Sequence, residues 1–91
     1  VLEFSDKAIA DLAQISIRIA ADNPGVAIKK AAMLAATCEL LDAFPGLGAL
    51  FVAPYRIFTK ELWVILYRPT ASGVYISRVF DSRQDWRSQL G

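Results

Sequence analysis

Six consecutive residues, Leu62, Trp63, Val64, Ile65, Leu66 and Tyr67, carry no charge. Strand side chains alternate between faces, so a run that is apolar at both parities predicts a strand covered on both sides. The run is far shorter than the roughly 20 residues an apolar helix needs to cross a bilayer. One packed layer must therefore lie on each face of this segment.

The preceding half of the chain supplies one layer. Val1 to Phe4 alternates as a short strand, and Ser5 is placed to cap the helix that follows, with Asp6 favourable beside its positive end. Helix 1 is expected to run to about Ala21. Its apolar stripe is Ile9, Leu12, Ile15 and Ile19, flanked by Ala8 and Ser16, which leaves Lys7, Asp11, Gln14 and Arg18 on the wet side. Asp22, Asn23, Pro24 and Gly25 then stop one helix and start another, since asparagine caps well and proline is tolerated in the first helical turn. Helix 2 is expected to reach about Ala43, with Ile28, Ala31, Leu34 or Ala35, Cys38 and Leu41 facing inward. So short a joint forces an antiparallel helical hairpin.

Phe44, Pro45, Gly46, Leu47 and Gly48 form a rigid turn into sheet. Strands are expected over Tyr55 to Thr59, Leu62 to Arg68 and Val74 to Asp81, joined at a Lys60-Glu61 tip and by a loop from Pro69 to Gly73. Lys-Glu is poor chemistry for a two-residue hairpin turn, which favours a wider loop there. The resulting fold class is α+β, in the order β-α-α-β-β-β, with the hairpin on a mostly antiparallel sheet and a short C-terminal tail. Residues 1–91 are expected to form one domain. A hairpin covers one face of the central strand. The other is left to the chain's own tail, to a second copy or to another protein, unless Trp63, Ile65 and Tyr67 simply form a half-exposed aromatic face.

Hydrophobic residues make up 55% of the chain, more than an average domain carries, which leaves apolar surface for a partner. No basic segment followed by an apolar block opens the sequence, so neither signal peptide nor membrane helix is expected, and the expected compartment is the cytoplasm. Cys38 sits among alanines and leucines as a small core residue. Histidine is absent, and so is a glycine-rich phosphate loop, so no metal, nucleotide or other cofactor is expected. Cations are concentrated late: residues 55–91 hold six against three acids, whereas residues 1–54 hold four against six. With a net charge of +1, that bias does not establish nucleic-acid binding.

The order and spacing of several pieces carry a resemblance over nearly the whole chain. These are Phe4-Ser5 with Ala8, Asp11, Leu12 and Ile15; Asn23-Pro24 with Ala27; Leu41 with Phe44 to Gly48; Tyr55, Arg56 and Ile57; Val64 to Arg68; and Ile76 to Phe80 followed by Asp81, Arg83 and Asp85. In this set the chain resembles toxins of the ParE/RelE superfamily of type II toxin–antitoxin, or plasmid stabilisation, systems, and is more similar to the ParE branch. That resemblance implies a toxin that binds and inhibits DNA gyrase, with or without its DNA. It also implies neutralisation by a ParD-like antitoxin in a hetero-oligomer.

The RelE branch, which cuts mRNA on the ribosome, is the alternative, and a toxin-fold module that only binds antitoxin is a third. RNA cleavage needs a group to take a proton and another to return it. Arginine stays protonated and serves poorly as a base, Lys60 is the lone lysine of the basic half, and Trp86 stands where a RelE-like enzyme has a tyrosine nearby. No catalytic residue is therefore assigned. Arg78, Arg83, Trp86, Arg87, Arg56 and Arg68 are the candidate target contacts, because a guanidinium fork binds carboxylate or phosphate without proton transfer. Arg78 is equally suited to pairing with Asp81, Asp85 or a helix acid. The implied antitoxin is expected on the second face of the sheet, at Trp63, Ile65 and Tyr67, and in the groove beside the hairpin.

Overall fold

The computed structural model describes residues 1–90. Its elements are β1 (Glu3–Phe4), α1 (Asp6–Asp22), α2 (Pro24–Ala43), β2 (Ala49–Leu50), β3 (Arg56–Lys60), β4 (Trp63–Thr70), β5 (Gly73–Asp81) and a final 3-10 turn (Arg87–Leu90). The five strands form one sheet in the order β1-β5-β4-β3-β2. Only β1 and β5 run parallel; the other neighbours are antiparallel. The expected α+β order holds, with the two-residue β2 as an addition. The β3–β4 turn is tight and lies one residue later than expected, at Glu61 and Leu62, where Glu61 adopts φ 53°. Pro69 belongs to β4, in register with Val74, rather than to a loop.

Both helix caps form as their residue types dictate. Ser5 Oγ accepts from Ala8 N–H at 2.9 Å, and Asn23 Oδ1 accepts from Val26 N–H at 3.2 Å. In α1, Ala8, Leu12, Ile15 and Ile19 pack toward the core, while Ile9 is 56% exposed. In α2 the inward face is Ala27, Leu34, Thr37, Cys38 and Leu41, and Ile28 and Ala31 face outward. A residue one position along a helix is rotated by about 100°, so Ile28, next to the inward Ala27, points out of the core. Cys38 is buried, and burial, followed by the charge of Glu39, pushes its thiol up to about 11.

Every residue from Trp63 to Tyr67 is buried, so β4 is covered on both faces. Trp63, Ile65 and Tyr67 join Ala8, Leu34, Cys38 and Leu41 beneath the helices. Val64 and Leu66 lie on the other face with Phe80 and Trp86, and Phe51, Tyr55 and Ile57 pack around them. The chain's own tail, helped by the segment after β2, therefore supplies the second layer. A bulge makes this possible: Leu66 pairs with Arg78 and Tyr67 with Ile76, leaving Ser77 unpaired. The extra residue lets Ile76 and Val79, three positions apart, enter the same core.

The outer edge of β5 is closed by α1. Because β1 spans only Tyr75 and Ile76, the next polar groups need other partners. Ser5 N–H donates to Ile76 C=O at 2.9 Å, Ser5 Oγ donates to Ser77 C=O at 2.6 Å, and Asp11 accepts from Val79 N–H at 3.0 Å. Asp11 also holds Arg78 in a two-pronged pair, at 2.8 and 2.9 Å. Asp11→Ala is expected to cost about 1–3 kcal/mol in urea unfolding, because a backbone donor and a half-shielded guanidinium both lose their acceptor. Arg78→Ala should cost less, since Asp11 keeps Val79. Equal losses would show that the bond to Val79 adds nothing.

Candidate functional site

The three residues assigned to an antitoxin, Trp63, Ile65 and Tyr67, lie beneath the helical hairpin and expose 5% of their surface or less. Ile65 and Tyr67 are sealed from any partner, and Trp63 meets solvent only where it borders a cleft between α1 and the tail. The sequence expectation placed them wrongly because apolarity at both parities does not say which parity meets the helices. Trp86 is a second correction: it is 6% exposed and serves as a core residue of the tail-side layer. Its ring stacks on Phe80, with centroids 5.5 Å apart and planes 23° apart, and meets Phe51 at 5.8 Å.

All five arginines expected to contact a target have a partner inside the chain. Arg78 pairs with Asp11, which selects the helix acid among its three candidates. Arg83 is 68% exposed at its side chain and pairs with Asp81 through Nε at 3.0 Å and Nη2 at 2.7 Å. Arg87 lies over the Trp86 ring at 4.5 Å, and Arg68 over the Tyr75 ring at 4.7 Å. Arg56 donates to Gly48 C=O at 2.7 Å. Arg78, Arg83 and Arg87 gather around the end of β5 and the tail, whereas Arg56 is tied to the turn before β2 and stands apart from them.

A cleft of about 230 Å³ separates α1 from this tail region. Asp11, Gln14 and Arg18 border it from α1; Asp81, Arg83, Gln84 and Gln89 border it from the tail, with Ile15, Trp63 and Phe80 beneath. Asp81 is held below its ordinary range chiefly by the side-chain bonds from Arg83; partial burial opposes this, while the Arg83 N–H and the charges of Arg83 and Arg18 assist. A carboxyl depressed in the fold stabilises it above the unfolded value of about 3.9, and that contribution disappears as pH falls through the folded value. In Arg83→Ala the Asp81 titration, followed by carboxyl NMR, should move upward, and Asp81→Asn should be less stable than wild type at neutral pH and lose less stability as the pH falls. An unmoved titration would show that Arg83 is not the cause. Sequence reading put Arg18 on the wet side of helix 1 with no role. Its place is invisible in sequence, because Arg18 and Arg83 come to border one cleft only when the tail folds back.

Apolar surface remains on the outside of the hairpin. Ile9, Ala13 and Ile17 repeat every four residues along exposed α1, and Ile28, Ala32, Ala36 and Leu40 do so along α2. Phe44, Leu47 and Leu50 extend the exposed apolar surface past the end of α2. A helix apolar on its inner and outer faces alike is one that a second layer is expected to cover.

Among the described residues no helix is long and apolar enough to cross a membrane, and no three His, Cys, Asp or Glu side chains are grouped to hold a metal ion. No curated protein matches the chain significantly. Among solved structures, one described as the chromosomal ParDE TA system from P. aeruginosa is similar in fold, with a TM-score of 0.74 at 22% identity. That likeness covers 87% of this chain and 91% of the other. A model of the family described as ParE toxin of type II toxin-antitoxin system, parDE, matches residues 2–86. With that match spanning β1 to Trp86, the chain belongs to the ParE toxins of type II toxin–antitoxin systems.

Proposed function

We propose that this toxin, acting as one domain in the cytoplasm, binds and inhibits DNA gyrase and is held inactive by a ParD-like antitoxin in a hetero-oligomer. The observation that carries the reading is the make-up of the tail end of the sheet. Phe80 and Trp86 are sealed against Val64 and Leu66, and the surrounding guanidiniums are engaged by carboxylates and rings. Such a surface offers a fixed shape and guanidiniums held in place, which suit adhesion to a partner. Arg83 and Arg87 are the assigned contacts, and Arg78 positions the segment that carries them.

The antitoxin is assigned to the outside of the hairpin in place of the buried Trp63, Ile65 and Tyr67. A segment that folds on binding would cover Ile28, Ala32, Ala36 and Leu40, where small residues permit close backbone approach.

The test uses purified toxin with gyrase and relaxed plasmid, alongside ribosomes carrying mRNA. Supercoiling should fail with wild-type toxin, and Arg83→Ala with Arg87→Ala should restore it at toxin concentrations about tenfold above the wild-type inhibitory level. Intact supercoiling together with cut transcripts would replace this reading by the ribosomal one. Ile28→Glu should release the antitoxin without altering supercoiling inhibition; retained antitoxin binding would move its site elsewhere.

A further inference from the structure

Arg18 is the one arginine that forms no ion pair, hydrogen bond or ring contact among the described residues, and it borders the cleft between α1 and the tail. The two carboxylates of that cleft are already answered, Asp11 by Arg78 and Asp81 by Arg83. Arg18 is left as its single unbalanced charge. Duplex DNA carries a charge about every 1.7 Å and is held by neutralising several phosphates together, which one free guanidinium does not do. One monoanion is the matching ligand. A carboxylate fits the guanidinium fork, and the amides of Gln14 and Gln84 on opposite walls offer donors and acceptors to the peptide groups beside it. Beneath them Ile15 and Trp63 supply an apolar floor suited to methylenes.

We propose that this cleft recognises one glutamate side chain of a partner protein, with the carboxylate on Arg18 and the methylenes against Ile15 and Trp63. The site adjoins the surface assigned to gyrase but does not depend on which target is bound.

The experiment is an NMR titration of the whole chain with N-acetyl-glutamate methylamide, with its glutamine analogue, with inorganic phosphate and with a short single-stranded DNA. The glutamate compound should move the Trp63 indole N–H and the side-chain amides of Gln14 and Gln84 along a saturating curve. The glutamine analogue should bind about tenfold more weakly, as should the glutamate compound to Arg18→Gln, whose other resonances should stay in place. Lys29→Gln, which removes an exposed cation from α2, should leave the curve unchanged. The proposal is overturned if no cleft resonance moves, if the neutral analogue binds equally well, or if phosphate or DNA moves the same signals at lower concentration. Gyrase is absent from every arm, so failure here leaves the gyrase reading standing, and failure of supercoiling inhibition leaves this one standing.

Discussion

Tyr67→Ala should lower the unfolding free energy by about 3–5 kcal/mol, the range for removing a large buried aromatic side chain. A chain of this length has only about 5–14 kcal/mol in total, so the variant is expected to be largely or marginally unfolded at 37 °C. The reason is double. Tyr67 fills the centre of the helix-side core, and its buried hydroxyl fastens the turn that leads into β2. It donates to Pro45 C=O and accepts from Gly48 N–H, both at 2.8 Å. Gly48 has no room for a side chain, since a Cβ would meet the Tyr67 hydroxyl at 2.6 Å and Ile57 C=O at 2.7 Å. Tyr67→Phe separates the two contributions: it keeps the ring, strands a donor and an acceptor, and should cost about 1–3 kcal/mol. Urea unfolding checks both. If Tyr67→Phe matched wild type while Tyr67→Ala lost several kcal/mol, packing alone would account for this residue.

Trp86→Ala is the second large effect, again about 3–5 kcal/mol, and it distinguishes a core residue from a contact residue. Its ring closes the tail-side layer, so its loss exposes Val64, Leu66 and Phe80 to water and frees the segment holding Arg83 and Arg87. The expected signs are a fall in Tm, binding of a hydrophobic dye, and loss of gyrase inhibition together. Trp86→Phe should recover most of the stability because a smaller ring still stacks on Phe80. A Trp86→Ala protein with unaltered Tm but lost inhibition would return Trp86 to the list of direct target contacts.

Much of this architecture was legible in the chain because it depends on local chemistry. Ser5 and Asn23 make their caps whatever packs nearby, and the breaker at Asn23 and Pro24 divides one apolar pattern into two helices. Leu62 to Tyr67 announced its two-sided burial through composition alone, and only Leu62 slipped out, into the turn. The site was less legible. Five arginines were identified as a group by type, and Arg83 and Arg87 are held by the nearby Asp81 and Trp86, whereas Arg78 finds its role through Asp11, 67 positions away. Arg18 carried no local signal at all.

By itself, then, the sequence determined the element order, the caps, the α+β class and the need for two layers over β4, since these follow from residue type and short-range periodicity. Tertiary structure alone decided that Trp86 supplies the second layer, that Trp63, Ile65 and Tyr67 turn toward the helices, and that the tail meets α1 around a cleft. The physical reason lies in the bulge at Ser77, which shifts side-chain parity partway along β5, and in contacts between residues some seventy positions apart, whose pairing no local pattern encodes.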